Sequence, residues 1–374
     1  MHPREHHAPI AVTCLLILLT IVPATLFPGR TAAKNDAPAP IVFPRDEAPH
    51  AGPIEWWYYT GHLLTNAGDR YGFEEVFFRG RQGALTGYVG HFAITDGPKG
   101  SFHYDQRIVP AAGVSRGTDE FDLSVDTWRL AGKDGIDSVR GSMPGYAIDL
   151  SLTSQKPAVL HNGDGYVDYG NGTGSYYYSR TRMAVDGTII VDGETHPVTG
   201  DAWMDHQWGN FSTFKDGGWD WFSMQLGNGT DLMLYLINDA TGSPVIVNGT
   251  LIARDGAVTL LEKEDFSVRP TATWASPRTG IVYPSGWTVE IPEERLTVNL
   301  TPMIVDQELD TTDSTRVIYW EGEVSVQGRA GGQDVTGLGY VELTGYDRRT
   351  VQIEDGGQGT PVPEETGALH RQEG

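Results

Sequence analysis

The chain consists of short aromatic and β-branched segments that follow one another with Gly, Asn or Asp between them. Such segments are typical of antiparallel strands, because β-branched and aromatic side chains pack well on a pleated surface. No stretch shows apolar residues at helical spacing for longer than a turn. Turn signals recur at strand-like spacing, at Asn66-Ala67-Gly68-Asp69, Asp186-Gly187, Asp192-Gly193, Asn228-Gly229 and Asp255-Gly256. The sequence therefore predicts an all-β protein.

The number of predicted strands indicates more than one domain. About eighteen strand-like segments lie between residues 56 and 343, which is more than one small barrel holds comfortably. We therefore predict two tandem antiparallel β-barrels or sandwiches, one over residues 53–195 and one over residues 196–350. No repeat of fixed period indicates a propeller or a solenoid.

The N-terminus is typical of a secretory signal. A basic start and an apolar run at residues 10–24 precede small residues up to Ala33. This layout predicts a signal peptide over residues 1–33 and an exported protein, in the periplasm or outside the cell. Retention by an uncleaved membrane anchor is the alternative, although two prolines interrupt the run and it is shorter than the roughly 20 residues of a spanning helix.

Two further segments have the composition of unstructured chain. Residues 34–52 are rich in Pro and Ala and predict a linker or an extended lead-in. Residues 351–374 contain almost no apolar side chain, so they predict a disordered tail. The single cysteine, Cys14, lies inside the predicted signal. The mature chain would therefore have no disulfide and no thiolate chemistry.

The net charge restricts the partners. At a formal −22, the chain would be repelled by nucleic acid and by anionic membrane surfaces. We therefore expect no nucleic-acid partner and no more than transient membrane contact. We expect a monomer that binds an apolar small molecule. Phosphate-binding loops and Rossmann glycine patterns do not occur, and no cofactor is predicted.

The densest group of chemically active side chains is Trp203-Met204-Asp205-His206-Gln207-Trp208-Gly209-Asn210. In an extended strand alternate residues share a face, so Asp205 lies with the indole of Trp203, and His206 with that of Trp208. Burial against an indole raises the pKa of a carboxyl, which suits Asp205 to general acid catalysis. The alternative is a structural Asp205 that accepts backbone N–H bonds in the turn before Gly209.

Three other segments carry acids among aromatic residues. The first is Glu55-Trp56-Trp57-Tyr58-Tyr59, whose aromatic side chains would require cover on both faces of one strand, with Glu55 at its mouth. The second is Phe73-Glu74-Glu75-Val76-Phe77, in which one glutamate must point inward unless an arginine pairs with it. The third is Trp219-Asp220-Trp221, whose two indoles share a face. A two-sided core strand and a buried salt bridge are the purely structural interpretations of the first two.

A pocket of indoles and one acid suits two kinds of function. Indole faces stabilise a cation by up to about 2 kcal/mol when water is excluded, which favours a reaction that passes through a carbocation. Such a pocket is equally well suited to binding a long apolar ligand. A metal site is not predicted, because no ligand spacing occurs among Asp205, His206, His62, His91 and His196. The sequence does not contain the Gly-x-Ser-x-Gly turn on which a Ser-His-Asp triad is often built, so such a triad is not predicted.

Three separated motifs resemble those of a known family. They are Glu55-Trp56-Trp57-Tyr58-Tyr59-Thr60-Gly61-His62-Leu63, then Gly200-Asp201-Ala202-Trp203-Met204-Asp205-His206-Gln207-Trp208-Gly209, then Tyr319-Trp320-Glu321-Gly322 with Gly339-Tyr340-Val341-Glu342-Leu343-Thr344-Gly345-Tyr346. In this order, over residues 54–346, they resemble the AttH/CrtC family. That family contains carotenoid 1,2-hydratase (hydroxyneurosporene synthase) and secreted proteins labelled predicted hydrolases. The resemblance implies two lipocalin-like β-barrel domains, with the central motif near their junction.

The resemblance also implies a chemistry. Carotenoid hydratases add water across a terminal isoprenoid double bond without a cofactor, by acid catalysis that involves Asp, His, Trp and Tyr residues. His206 and Trp208 match the His-x-Trp pattern of those enzymes. Their downstream Tyr-x-Asp pair has no counterpart, since neither Trp219-Asp220 nor Asp231 with Tyr235 fits it. The chain is therefore more similar to the AttH-like secreted branch.

Together the residues and the resemblance favour a cofactor-independent enzyme that adds water to an isoprenoid or other apolar alkene. Asp205 would protonate the alkene or position water, with His206 as its proton partner and Glu55 as a second carboxylate across the cleft. The predicted substrate contacts are Trp56, Trp57, Trp203, Trp208, Trp219 and Tyr235. The alternatives are a non-catalytic lipocalin-type carrier of an apolar ligand and a secreted hydrolase, for which no nucleophile is evident.

Overall fold

The computed structural model confirms the all-β fold. It describes residues 38–83, 85–110, 118–170, 172–210 and 217–348. These ranges contain strands and the short 3₁₀ turns Arg45–Glu47 and Tyr346–Arg348, but no α-helix. The predicted signal peptide 1–33 and the predicted tail 351–374 lie outside the described residues. In the same ranges no helix has the length and apolar character needed to span a membrane.

The first sheet curls into a nearly closed barrel, which we call barrel A. Its strands are β1 (Ile54–Thr65), β2 (Arg70–Gln82), β3 (Leu85–Asp96), β4 (Ser101–Pro110), β5 (Phe121–Val125), β6 (Trp128–Lys133), β7 (Ile136–Met143), β8 (Tyr146–Ser154), β9 (Val159–Leu160), β10 (Tyr166–Gly170), β11 (Thr173–Val191) and β12 (Glu194–Gly209). The order in the sheet is β4-β3-β2-β1-β12-β11-β8-β7-β6-β5, with β9 and β10 paired to β11.

The second sheet curls into half-barrel B. Its strands are β13 (Trp219–Leu226), β14 (Asp231–Asn238), β15 (Pro244–Ile252), β16 (Val258–Glu262), β17 (Ser267–Pro270), β20 (Trp287–Ile291), β21 (Leu296–Pro302), β22 (Glu308–Asp310), β23 (Ile318–Ala330) and β24 (Gln333–Thr344). They follow the order β16-β15-β14-β13-β24-β23-β21-β20-β17, with β22 paired to β23. The remaining strands, β18 (Thr273–Ala275) and β19 (Val282–Pro284), form a separate ribbon.

The change of sheet comes later than the predicted boundary between residues 195 and 196. Asp192 and Gly193, with φ of 51° and 88°, form the hairpin turn between β11 and β12. Strand β12 then pairs with β11 on one side and with β1 on the other, as far as Gly209. Residues 196–209 therefore belong to barrel A, because their hydrogen bonds lie within its sheet.

Residues 38–53, which we call the N-terminal strap, pack against barrel A where the sequence predicts a linker. The ring of Phe43 meets that of Tyr178 edge-on, with centroids 4.8 Å apart. Glu47 is only 1% exposed and forms an ion pair with Arg180. A few isolated side chains thus anchor the strap. Because they do not recur at a helical or strand period, the Pro- and Ala-rich sequence contains no sign that this segment packs against the barrel.

Among the described residues, the three largest groups of buried side chains hold the sheets together. One fills barrel A and includes Trp57, and one fills half-barrel B and includes Trp320. The third lies between the two sheets and includes Tyr58, Trp203 and Trp221. Neighbouring residues of β1 enter different groups because strand side chains alternate between faces. The cover on both faces that the aromatic run predicted for β1 is therefore confirmed.

A buried ion cluster joins β11 of barrel A to β14 of half-barrel B. The bulge at residues 180–183 of β11 lets two consecutive side chains, Thr181 and Arg182, reach the same carboxylate. That carboxylate, Asp231, is completely buried. It accepts hydrogen bonds from Thr181 at 2.9 Å and from Arg182 at 2.7 Å, and Lys156 Nζ lies 2.7 Å away.

Replacing Asp231 with Asn should destabilise the protein strongly. The change leaves the cations of Lys156 and Arg182 without the carboxylate between them, and breaking a buried ion pair costs about 3–5 kcal/mol. We expect the urea midpoint of unfolding, followed by tryptophan fluorescence, to fall accordingly. Asp334→Asn is the control, since its pair with Arg329 is at the surface and contributes little. Equal midpoints for the two variants would contradict the role of Asp231.

Candidate functional site

A cavity of about 80 Å³ lies between barrel A and half-barrel B, beside the central motif. We call it the intersheet cavity. Strands of both sheets line it, with the side chains Trp56, Tyr58, Glu74, Val76, Phe78, Tyr169, Tyr177, Asp205, Gln207, Trp219, Trp221, Tyr235, Ile237, Tyr319 and Glu342. Largely aromatic walls with a few convergent polar groups are typical of a small-molecule site.

Asp205 is the acid on the barrel A wall. Its Oδ1 accepts hydrogen bonds from the indole N–H of Trp203 at 2.7 Å and from the hydroxyl of Ser179. Its Oδ2 accepts one from the hydroxyl of Tyr177 at 2.5 Å. Burial raises the pKa of Asp205 and the three donors oppose that rise, so the pKa is about 6. Asp205 is therefore mainly a carboxylate at neutral pH.

Glu342 on β24 is the acid on the facing wall. Its Oε2 accepts a hydrogen bond from the indole N–H of Trp219 at 2.8 Å. Burial raises the pKa of Glu342 to about 7, with the Trp219 bond opposing the rise and the charge of Asp205 adding to it. Half of the Glu342 side chains therefore hold a proton at neutral pH, when most Asp205 side chains do not.

Two more glutamates are buried at the same contact. Glu74 accepts a hydrogen bond from the Tyr319 hydroxyl at 3.2 Å, and Glu321 accepts one from the Tyr58 hydroxyl at 2.8 Å. The Oε2 atom of each has no hydrogen-bond partner among the described residues. Burial, and then the charge of Glu342, raises the pKa of Glu74 to about 8 and that of Glu321 well above its usual value. Glu74 therefore carries a proton at neutral pH, and burial shifts Glu321 in the same direction.

Indoles form much of the wall between these acids. Trp219 and Trp221 both line the cavity, so their predicted position on one face of the strand is confirmed. The indole N–H of Trp221 donates to the hydroxyl of Tyr177 at 3.0 Å. The rings of Trp221 and Tyr58 meet edge-on, with centroids 5.4 Å apart. These contacts hold the π faces in place beside the acids.

The predicted partnership of Asp205 with His206 is wrong. The two side chains leave β12 on opposite faces, as strand alternation requires. His206 is completely buried inside barrel A, where its Nε2 lies 2.9 Å from Glu55 Oε1 and its Nδ1 lies 3.2 Å from the Tyr178 hydroxyl. Burial lowers the pKa of His206 to about 4, although Glu55 opposes this. It is therefore neutral and has no contact with Asp205.

Glu55 also lies inside barrel A and not across the cleft. Its Oε2 accepts a hydrogen bond from the backbone N–H of His50 at 3.0 Å and one from Arg79 at 3.4 Å. Burial would raise the pKa of Glu55, but hydrogen bonds from His206 and His50 outweigh burial and hold the pKa below its usual value. Possible metal-ligand atoms of His50, Glu55 and His206 lie within 4.8 Å of one another. Glu342 occupies the position across the cleft.

The predicted substrate contacts also divide between the side of β1 and β12 that faces half-barrel B and the interior of barrel A. Trp56, Trp219 and Tyr235 line the intersheet cavity. Trp203 lies in the contact between the sheets and holds Asp205. The last two, Trp57 and Trp208, pack inside barrel A, so they do not border the cavity. Alternation separates them from the others, because each directly precedes or follows a residue that faces the second sheet.

A serine and a histidine do lie beside Asp205. His161 Nε2 is 2.6 Å from Ser179 Oγ, which donates to Asp205, and His161 Nδ1 is 3.0 Å from Thr250 Oγ1. In a nucleophilic triad the histidine stands between the serine and the acid, whereas here the serine stands between the other two. Ser179 is also completely buried and absent from the cavity wall. These three hydrogen-bonded side chains therefore connect Asp205 to His161, and they do not supply a nucleophile to the cavity.

Sequence reasoning left several residues of the site unassigned, among them Tyr177, Glu321 and Glu342, and it noted Glu74 only as one of two glutamates among aromatic residues. A usable signal was present for the glutamates, since each directly follows an aromatic or aliphatic residue within a strand. A carboxyl there must be paired or must keep its proton. The contact of Tyr177 with Asp205 depends on the register of β11 against β12, in which Ser179 pairs with Asp205 and Tyr177 pairs with Gln207. No local pattern encodes that register.

Comparison with known proteins agrees with this fold. Kievitone hydratase from Nectria haematococca is 18% identical, with a TM-score of 0.67, covering 85% of this chain and 97% of that one. CghA is 14% identical, with a TM-score of 0.52, covering 82% and 90%. At these identities the likeness concerns the fold alone. No curated protein sequence matches the chain.

A nearer likeness and a family match indicate descent. An AttH protein of Nitrosomonas europaea is 33% identical, with a TM-score of 0.76, and the alignment covers 84% of this chain and all of that one. The AttH-like family matches residues 34–346, which include both sheets and every residue of the intersheet cavity. The chain therefore belongs to the AttH-like family.

Proposed function

We propose that this protein is an acid–base catalyst that adds water to an apolar, isoprenoid-type alkene in the intersheet cavity. One observation carries the proposal: two buried carboxyls line a single aromatic cavity, Asp205 with three hydrogen-bond donors that favour its ionised form and Glu342 with one from Trp219. Paired titratable groups whose environments separate their pKa values are the usual arrangement of an acid and a base.

The alkene would lie against the indoles of Trp219 and Trp221. Protonated Glu342 gives its proton to one alkene carbon, so that a C–H bond forms from the π pair and the neighbouring carbon becomes a cation. The indole faces and the new carboxylate stabilise that cation in a site with little water. Asp205 is thus the base in this scheme, and Glu342 is the acid.

The second half of the cycle adds water. The oxygen of a water molecule bonds to the cationic carbon while Asp205 takes its proton, which yields an alcohol. Transfer of that proton from Asp205 to Glu342 through water in the cavity restores the starting state. The net reaction is the addition of one water molecule, and the residues of the chain are unchanged.

One protein of similar fold supports this reaction type by its name. Kievitone hydratase is named for adding water to kievitone, and its two-sheet fold is shared over most of this chain. Because the sequence identity to kievitone hydratase is low, the main support for the reaction comes from the carboxyls and indoles of the cavity. The substrate class follows from the aromatic wall, which favours apolar molecules over charged ones.

A carrier without catalytic activity is the second candidate, since the aromatic cavity would bind an apolar ligand in either case. Incubation with kievitone and with isoprenoid alkenes, in water labelled with heavy oxygen, separates the two. Mass spectrometry should show a product that has gained one labelled water molecule. Recovery of bound but unchanged ligand would favour the carrier.

Asp205→Asn and Glu342→Gln should each reduce turnover by roughly 10²–10⁴-fold, because each removes one proton-transfer group. Ligand binding, measured by quenching of tryptophan fluorescence, should persist. The controls are Asp201→Asn, a half-exposed acid on the same strand, and Glu290→Gln, a half-exposed glutamate of half-barrel B. Full turnover in Asp205→Asn, or an equal loss in both controls, would refute the assignment.

The same roles determine the pH dependence. Turnover needs ionised Asp205 and protonated Glu342. The value of kcat/KM should therefore rise as pH increases through about 6 and fall as it increases through about 7. We expect a narrow bell-shaped profile with its maximum between these values. In Asp205→Asn the fall on the acidic side should vanish from the residual activity. A wild-type rate that keeps rising on the alkaline side would contradict the scheme.

A further inference from the structure

We propose that His50, Glu55 and His206 bind a divalent zinc ion that fastens the N-terminal strap to barrel A. His50 Nδ1 lies 2.8 Å from Glu55 Oε1, and His206 Nε2 lies 2.9 Å from the same oxygen. Two imidazole nitrogens and one carboxylate oxygen are a ligand set that Zn²⁺ takes in proteins, with a fourth position left for water. The site is separate from the intersheet cavity and does not depend on the function proposed for it.

The far nitrogen of each imidazole has an outer partner. His50 Nε2 lies 3.5 Å from Asp46 Oδ1, and His206 Nδ1 lies 3.2 Å from the Tyr178 hydroxyl. Metal-binding imidazoles commonly donate the far N–H to such groups, which leaves the near nitrogen with its lone pair directed at the metal. Without the ion, the near nitrogens donate their N–H groups to Glu55 Oε1. Binding of Zn²⁺ would replace these two hydrogen bonds, with each imidazole proton moving to the far nitrogen and its outer partner.

Both imidazole rings are held in orientation by indoles. The His50 ring stacks on Trp208, with centroids 3.8 Å apart and planes inclined by 3°. The His206 ring stacks on Trp57, with centroids 4.6 Å apart and planes inclined by 23°. Rings fixed in this way lose little rotational freedom when they bind an ion, which is the preorganisation that metal sites require.

The arrangement needs only a small adjustment to accept the ion. Zinc–ligand bonds of about 2.0–2.2 Å in a tetrahedral arrangement place neighbouring ligand atoms about 3.4 Å apart. The nitrogens must therefore move back from Glu55 by roughly half an ångström. His50 belongs to the strap and its side chain is 20% exposed, so it can shift. Arg79 engages Glu55 Oε2, and the backbone N–H of His50 is shared between Oε2 at 3.0 Å and Oε1 at 3.1 Å, so one lone pair of Oε1 remains for the ion.

Zinc titration of the full-length, metal-free protein against a chromophoric chelator tests the site. We expect tight binding of Zn²⁺ to the wild type and an affinity lower by about 100-fold or more in His50→Ala, which removes a ligand. Zn²⁺ should raise the melting temperature of the wild type more than that of the variant. Co²⁺ in place of Zn²⁺ should give the visible absorption of tetrahedral nitrogen and oxygen coordination only with His50 present.

Matched variants keep the test decisive. His196→Ala removes a partly buried histidine of β12 that lies outside the cluster, and it should bind Zn²⁺ like the wild type. The N-terminal histidines His2, His6 and His7 are present in every variant, so differences between variants report the cluster alone. His50→Gln, checked for folding by circular dichroism, replaces His50→Ala if the latter does not fold. Equal zinc affinity in the wild type and in the folded His50 variant overturns the proposal.

Discussion

Burial of β1 and β12 on both faces is the constraint on which the rest of the structure depends. Alternate side chains of these two neighbouring strands enter barrel A on one face and the contact with half-barrel B on the other. A buried carboxyl must be paired with donors or must keep its proton. The face that an acid occupies therefore determines its chemistry. Glu55 is an ion among histidines and Arg79, whereas Asp205 borders an aromatic cavity.

Protons on buried glutamate carboxyls help to stabilise the contact between the two sheets. Glu74, Glu321 and Glu342 face it with few hydrogen-bond donors, and burial shifts all three towards their protonated forms. Each proton removes a negative charge that would otherwise repel Asp205 across the same contact. An aromatic cavity bordered by acids that hold protons at neutral pH has the means to protonate an apolar ligand. Stability and proposed chemistry thus rest on the same protons.

The sequence predicts the parts of this arrangement that depend on neighbouring residues. The turn residues and the alternation of β-branched side chains were sufficient for an all-β fold, and the period of two separates Asp205 from His206. The packing of β24 against β1 brings Glu342 to the cavity. It is a contact between distant segments of the chain, and no local pattern encodes it. For the same reason Glu55 was assigned to the cleft: alternation divides a strand into two faces without saying which one borders a cavity. His50 was missed because its Pro- and Ala-rich segment resembles a linker.

The proposed cycle leaves the charge between the sheets in balance. Before reaction Asp205 is ionised and Glu342 is neutral, and after water addition Glu342 is ionised and Asp205 is neutral, so the pair carries one negative charge in both states. While the carbocation exists both acids are ionised and the ligand carries one positive charge, so the net charge is again one negative. The hydrogen bonds from Tyr177 and Trp203 to Asp205, and from Trp219 to Glu342, supply donors for whichever carboxylate is present. Turnover can therefore proceed without adding an uncompensated charge to the contact that holds the two sheets together.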